Sequence, residues 1–301
     1  MPRSLDLEGV RVAYPAVGRP DGQLVHAVGG VDLTVRPGEV VGVLGPNGAG
    51  KSSVFKVAVG SLAASSGEVR LDGQPVGALP LWERARRGMC YVPQEASIFR
   101  GLTVEENVLV PLEVAGYGVR EAREALDARW PGRGPLPILR RAVALPGEIY
   151  RIRLARVADV LEAHGLEGVA TTRGDALSGG ERRRVELARA LAVDGHARYV
   201  LVDEPFAGVD PIALTGLRAQ LLALARGAQG DVLTGGGGAG PGVLITDHNV
   251  RETLTMCDRA YILSGGIVVA HGTPEQLLRN ELVRSVYLGA DMADDMLRSL
   301  G

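Results

Sequence analysis

The chain has 301 residues, 46% hydrophobic and 23% charged, enough to bury a core in one large domain or two modest ones. Its net charge of -2 gives no bulk attraction to nucleic acid or to an anionic surface, and its apolar runs fall far short of the roughly 18 residues that a spanning helix needs. Cys90 and Cys257 lack partner spacing, which fits a reducing compartment better than a disulfide framework or a zinc site. The opening MPRSLDLEGV has no apolar signal core, so a cytoplasmic chain is expected.

Alternating apolar residues at 10–14 and 31–35 predict two strands leading to a Pro37-Gly38-Glu39 turn. Val40–Leu44 is a continuous apolar strand, followed by GPNGAGKSS at 45–53 and a helix expected from Lys51 to about Val59. Lys51 and Lys56 are the two lysines among 33 cationic side chains. Arginine serves almost everywhere else, but a compact ammonium on a slim stem can enter a ring of backbone amides where a planar guanidinium does not fit. Gly45-x4-Gly50-Lys51-Ser52 has the spacing of a phosphate loop, and strand, loop and helix in that order are the context the motif requires. The helix start adds free amides and partial positive charge. Binding of ATP or GTP is expected.

Residues 69–71 with the Asp72-Gly73 turn predict an antiparallel strand. Residues 102–127 and 149–164 predict helices; in the second, Ile149, Ile152, Val157, Val160 and Leu161 share a face. Residues 129–147, with Pro131, Pro135, Pro137 and Pro146, and residues 227–242, with TGGGGAGPG, read as inserted loops. The glycine run is not followed by Gly-Lys-Ser, so no second phosphate loop is expected. Strands at 199–202 and 243–245 end at Asp203-Glu204 and near Asp247-His248. Buried parallel strands ending in polar residues gather chemistry at one sheet edge.

Six elements stand in order: the phosphate loop, Gln94 in YVPQEASIF, Leu177-Ser178-Gly179-Gly180-Glu181, Asp203-Glu204 after its strand, the segment 207–210, and His248. Together they resemble the ATP-binding subunit of an ABC transporter, whose Q-loop, signature, second nucleotide motif, D-loop and switch histidine follow its phosphate loop. Tyr14 matches the position of the family's adenine-stacking aromatic. The resemblance covers nearly the whole chain outside the two inserts and the tail after Gly289. It implies an α/β fold: a P-loop NTPase (RecA-like) core, an N-terminal antiparallel β subdomain and an α-helical signature subdomain. As one ABC ATPase domain, residues 1–93 and 190–270 form the core, 94–189 the helical subdomain and 271–301 a helical tail.

Under the same resemblance, Gly45, Pro46, Asn47, Gly48, Ala49, Gly50, Lys51, Ser52 and Ser53 hold the nucleotide phosphates, with the amides of Gly48, Gly50 and Lys51 as the cradle. Ser52 coordinates Mg²⁺, helped by Asp203 and Gln94. Glu204 is the general base or the group that orients water, His248 donates to the γ-phosphate, and Gln94 links the site to its loop. Ser178, Gly179 and Gly180 open a helix with a capping serine and a glutamate three residues on, a second anion site. One nucleotide does not easily use both sites, so a head-to-tail dimer is expected, each signature closing over the ATP of the other copy.

YVPQEASIFRGLTVEENV, LSGGERRRVELARAL, LITDHNVRET and HGTPEQLL resemble the ATPase of lipopolysaccharide export systems within that family. That implies two membrane-spanning partners gripped through a groove near Phe99, a place on the inner face of the inner membrane held by them, and no membrane insertion of the chain itself. The ATPase of a branched-chain amino acid importer has a similar motif order, and a soluble non-transport ABC ATPase is the alternative of another class. Arg182, Arg183 and Arg184 occupy one helical turn of an acidic chain, so a solvated or partner-facing patch is expected there and not nucleic acid.

Overall fold

Strands β1 (Leu5–Pro15) and β2 (Leu24–Val35) pair antiparallel and run longer than their alternation predicts. Leu5, Leu7, Val10 and Val12 of β1 point inward. β3 (Val40–Leu44) is buried at every residue, as a strand covered on both faces must be. The glycine loop and α1 (Lys51–Val59) follow. β4 (Ser66–Leu71) and β5 (Gln74–Pro75) form a hairpin around Asp72-Gly73, both at positive φ, as a type I′ turn requires. Next come α2 (Leu81–Arg86), β6 (Met89–Val92), α3 (Val104–Val114), α4 (Val119–Arg129), α5 (Pro135–Ala163) and α6 (Gly179–Leu191). β7 (Tyr199–Asp203), α7 (Pro211–Ala225), β8 (Gly242–Thr246) and α8 (Val250–Met256) lead to β9 (Arg259–Ser264), β10 (Ile267–Gly272), α9 (Pro274–Arg279) and α10 (Ala290–Leu300).

This computed structural model describes residues 3–15, 24–193, 197–228, 239–288 and 290–300. The chain divides into two compact units, one from residues up to 95 together with 196–228 and 237–301, the other chiefly from 96–195. In the first unit, an antiparallel sheet has the order β2-β1-β4-β5 and a second sheet the order β10-β9-β3-β8-β7-β6, parallel from β9 to β6. Alternation along β9 covers both faces of that second sheet. Tyr261 and Leu263 join the core that holds α1 and the antiparallel sheet, whereas Ala260 and Ile262 join Leu277, Leu278 and Met296 of the C-terminal helices. Each Val or Leu so buried contributes roughly 1.5–3 kcal/mol.

The second unit corrects two sequence expectations. The helix predicted over 102–127 is two helices, parted at Gly116 and Gly118, which take φ of +67° and +79°. The loop predicted at 129–147 is mostly helix, because α5 starts at Pro135. Pro135 and Pro137 occupy the first turn, where the missing N–H has no intrahelical acceptor to lose. Pro146 removes one interior bond, and the helix continues for 29 residues in all. Its C-terminal half is anchored by buried Val157, Val160 and Leu161; its N-terminal half is tied by Arg141, paired with Asp127 and donating to the Gly132 carbonyl at 2.9 Å. Most of the glycine-rich 227–242 segment, and the 17–23 segment after Tyr14, lie outside the described residues.

Candidate active site

The glycine loop turns sharply between β3 and α1. Gly50 caps α1 at φ +100°, and a Cβ there would lie 2.5 Å from the Ala27 carbonyl oxygen, so any side chain would force the backbone to shift. Gly48, at φ +79°, has no atom within 4 Å of a Cβ position, which leaves open space beside the amides of the loop. That cradle suits a phosphate. No side chain caps α1 and no acidic residue stands in its first turn, so its N–H groups and dipole face the loop uncompensated. Ser52 is exposed and Ser53 half-buried.

Lys51 is buried, and its Nζ donates to the carbonyls of Gly45 at 2.7 Å and Pro46 at 3.1 Å. Burial lowers its pKa, opposed by the charges of Glu204, Asp203 and Asp247. The far end of α1 is fixed by Arg84, fully buried, which donates to the carbonyls of Val57 at 2.7 Å and Ala58 at 2.6 Å. A cation on the last carbonyls satisfies both the orphan acceptors and the negative end of the helix dipole. Tyr14, near the end of β1, reaches the first turn of α1, its hydroxyl 3.1 Å from Ser53 Oγ.

The carboxylates come from adjacent parallel strands. The register pairs Asp203 of β7 with Thr246 of β8, so Asp203-Glu204 and Thr246-Asp247 emerge side by side beyond the strand ends, where open α/β sheets place their ligands. Asp203 is buried and accepts a hydrogen bond from Thr246 Oγ1. Glu204 sits at φ +45°, one of two non-glycine residues at positive φ among the described residues. Such a conformation raises the energy by on the order of 1–3 kcal/mol and persists only where its surroundings impose it. Here the Glu204 N–H donates to the Thr246 carbonyl at 2.9 Å and Gln94 Nε2 donates to Glu204 Oε2 at 2.8 Å. His248 Nδ1 lies 3.6 Å from Glu204 Oε2 and 3.5 Å from Asp247 Oδ1.

The first unit thus gathers Gln94, Lys51, Asp203, Glu204 and His248 around one strand edge, with Tyr14 and Ser53 in contact beside it. Ser178, Gly179 and Gly180 belong to the second unit, at the start of α6. Ser178 caps α6 in a reciprocal box: its Oγ accepts from the Glu181 N–H at 3.3 Å, while Glu181 Oε2 accepts from the Ser178 N–H at 2.9 Å. These bonds to Ser178 hold the Glu181 carboxyl below the usual range.

Several contributors escape sequence reasoning. Asp247 is fully buried, and its carboxylate accepts from the Phe206 N–H at 3.2 Å and the Asn249 N–H at 2.8 Å, pinning the segments after β7 and β8. The parallel between the two polar strand ends was the available signal. In the second unit, α6 grips the segment around Phe99: Glu186 Oε1 accepts from the Ser97 N–H at 2.6 Å, Arg189 donates to the Ser97 carbonyl at 2.6 Å, and the Arg189 guanidinium lies 4.7 Å from the Phe99 ring centre. Phe99 is 45% exposed.

Comparison with known proteins covers nearly the full length. A family profile described as ABC transporter matches residues 28–207, and one described as branched-chain amino acid ATP-binding cassette transporter matches 268–293. The chain is 42% identical over 261 residues to the lipopolysaccharide export system ATP-binding protein LptB of Escherichia coli (strain K12), a match spanning 87% of this chain and 90% of that protein. A solved nucleotide-free ATP-binding cassette from an ABC transporter has a TM-score of 0.70 at 25% identity, covering 95% of this chain and 99% of that one. A dimeric post-hydrolysis ATP-binding cassette bound to ADP and Pi has a TM-score of 0.65 at 23% identity, covering 90% and 98%.

Proposed function

We propose, from the premise that this chain belongs to the ABC transporter family and is one of its ATP-hydrolysing, ATP-binding subunits, that it drives lipopolysaccharide export as a head-to-tail dimer beneath two membrane-spanning partners. The observation that carries the catalytic part is Glu204, held in a left-handed backbone conformation between Gln94 and Thr246 and 3.6 Å from His248. The substrate assignment rests on the 42% identity with LptB. The match of 268–293 to the branched-chain amino acid family favours a second reading, the ATPase of such a transporter. No described helix is long and apolar enough to cross a membrane, so contact with the transport path falls to partners, through the exposed ring of Phe99.

In the proposed reaction the amides of Gly48, Gly50 and Lys51 cradle the β- and γ-phosphates, and the Lys51 ammonium leaves its loop carbonyls to neutralise them. The exposed Ser52 hydroxyl, the Asp203 carboxylate and the Gln94 amide are oxygen donors suited to Mg²⁺, which when bound supplies charge neutralisation on the phosphates. Glu204 orients the attacking water and accepts its proton; His248 donates to the γ-phosphate. Tyr14 lies against adenine. Ser178 and the first amides of α6 bind the γ-phosphate held by the other copy.

Glu204→Gln is the direct test. It should retain ATP binding, lose about a thousandfold in hydrolysis, and elute with ATP and Mg²⁺ at twice the monomer mass in light scattering. Unchanged turnover removes Glu204 from its role, and a persistent monomer with or without partners removes the dimer. Stimulation of the reconstituted complex by lipopolysaccharide rather than by leucine decides between the two substrates.

A further inference from the structure

Helix α5 carries an apolar stripe that nothing in its own unit covers. Leu136, Leu139 and Val143 are 57%, 60% and 75% exposed, and Tyr150 and Leu154 continue the same face at 51% and 41%. Spacings of three, four and seven residues place all five within about 60° of one helix side, a line roughly 27 Å long. The opposite side faces α4, where Arg141 pairs with Asp127, and the stripe's own face becomes buried only further along the helix, at Val157 and Leu161. Lone exposed aliphatics need no explanation, but a continuous stripe does.

Charge identifies the occupant. Residues 128–147 contain four arginines and no Asp or Glu, in a chain whose net charge is -2. Asp127 and Glu148, at either end, engage Arg141 and Arg151, and among the described residues no hydrogen bond or ion pair engages Arg133 or Arg140. Arg140 flanks the stripe by helical position. Half-buried Trp130 stands close by, with the Arg129 guanidinium 5.0 Å from its ring centre. Aliphatic residues along one helix side, an arginine at its flank, and an arginine and a tryptophan in the turn just before its start have the composition of a helix that lies in a bilayer interface.

We infer that the α4–α5 tip of this protein adsorbs to an anionic lipid bilayer, with Leu136, Leu139 and Val143 at the acyl boundary and Arg133 and Arg140 among the headgroup phosphates. The stripe also has the three-four spacing of a helix seam, but it holds only about two heptads, too few for a coiled coil, and passes through Pro146-Gly147. A second copy would bring like charges together. A bilayer takes both features without a matched partner surface. The helix lies on the membrane and does not span it, and the inference is independent of the transported substrate.

Flotation of the purified full chain with vesicles tests this. Vesicles of phosphatidylglycerol and phosphatidylcholine in equal parts should carry the chain upward at low salt; phosphatidylcholine alone should bind at least about tenfold less. Replacing Arg133 and Arg140 together with Gln should weaken binding roughly thirtyfold, at about fivefold for each charge. Leu139→Glu with Val143→Glu should abolish flotation, and the milder Leu139→Ser with Val143→Ser should reduce it, with ATP hydrolysis in solution unchanged in both. Equal binding to both vesicle types, or full binding by these variants, overturns the inference. So does failure to float combined with tight binding to a glutamate-rich amphipathic peptide, which would make the face a protein-docking site.

Discussion

Helices α1 and α6 both start at glycine-bearing turns, and their starts are prepared in opposite ways. Gly50 caps α1 without a side chain, no carboxylate stands in its first turn, and Lys51 adds a buried cation. At α6, Ser178 and Glu181 satisfy each other's backbone N–H groups, and Glu181 brings a negative charge to the positive end of the helix. The first start has no rival for an incoming phosphate. At the second, a phosphate must displace a carboxylate already in place. On the proposed reading, intrinsic affinity for ATP resides at α1, whereas α6 adds a closing contact that forms only when the γ-phosphate of another copy competes successfully.

The strongest challenge to this contrast is Lys51→Ala, which should weaken ATP binding about a hundredfold in a fluorescent-nucleotide titration, the loss of a hydrogen-bonded charge. An unchanged dissociation constant would leave the α1 start with no special affinity. Acid should act on the other unit. His164 is buried beside Arg156 and Arg184, and burial first, then those cations, push its imidazole down to about 4 from 6.5. The unfolded chain therefore takes up a proton that the folded chain refuses. Stability from this group is complete above pH 6.5 and declines as pH falls toward about 4, by about 3 kcal/mol. Urea unfolding at pH 7.5 and 4.5 measures the loss, and His164→Leu should flatten the dependence.

Gly50→Ala is a smaller perturbation of the α1 start, expected to lower stability by about 2 kcal/mol through the positive φ and the close Ala27 carbonyl. A melting temperature within a degree of the parent would show that the turn relaxes freely. This turn was legible in the sequence because its backbone demands appear as glycine spacing. Asp203 and Glu204 were legible for a related reason, since polar residues ending an apolar strand stand out. Asp247 shares that position and was passed over: its work is to accept the N–H groups of Phe206 and Asn249, and only the pairing of β7 with β8 reveals the first of them. Glu186 and Arg189 reach Ser97 across about ninety residues of chain, which no local pattern encodes. The N-terminal half of α5 was misread because four prolines suggested a loop, although two of them occupy a first turn that tolerates them.

The subtlest test concerns Glu181 itself. A glutamine at this place can still complete the reciprocal cap while removing the negative charge that an arriving γ-phosphate would meet. Ser178 and Gly179 at the helix start are exposed and Glu181 half-buried, so solvent screens the repulsion relieved to the order of 1 kcal/mol, equal to about fivefold in an equilibrium constant. In a Glu204→Gln background, where hydrolysis does not drain the dimer, adding Glu181→Gln should therefore tighten ATP-driven dimerisation about fivefold in sedimentation equilibrium, and the gain should shrink as salt is raised. Glu181→Ala loses both charge and cap, and should show a smaller gain because the first turn of α6 frays by about 1 kcal/mol. If Glu181→Gln leaves dimerisation unchanged, the carboxylate does not compete with the phosphate, and the two helix starts differ in capping but not in function.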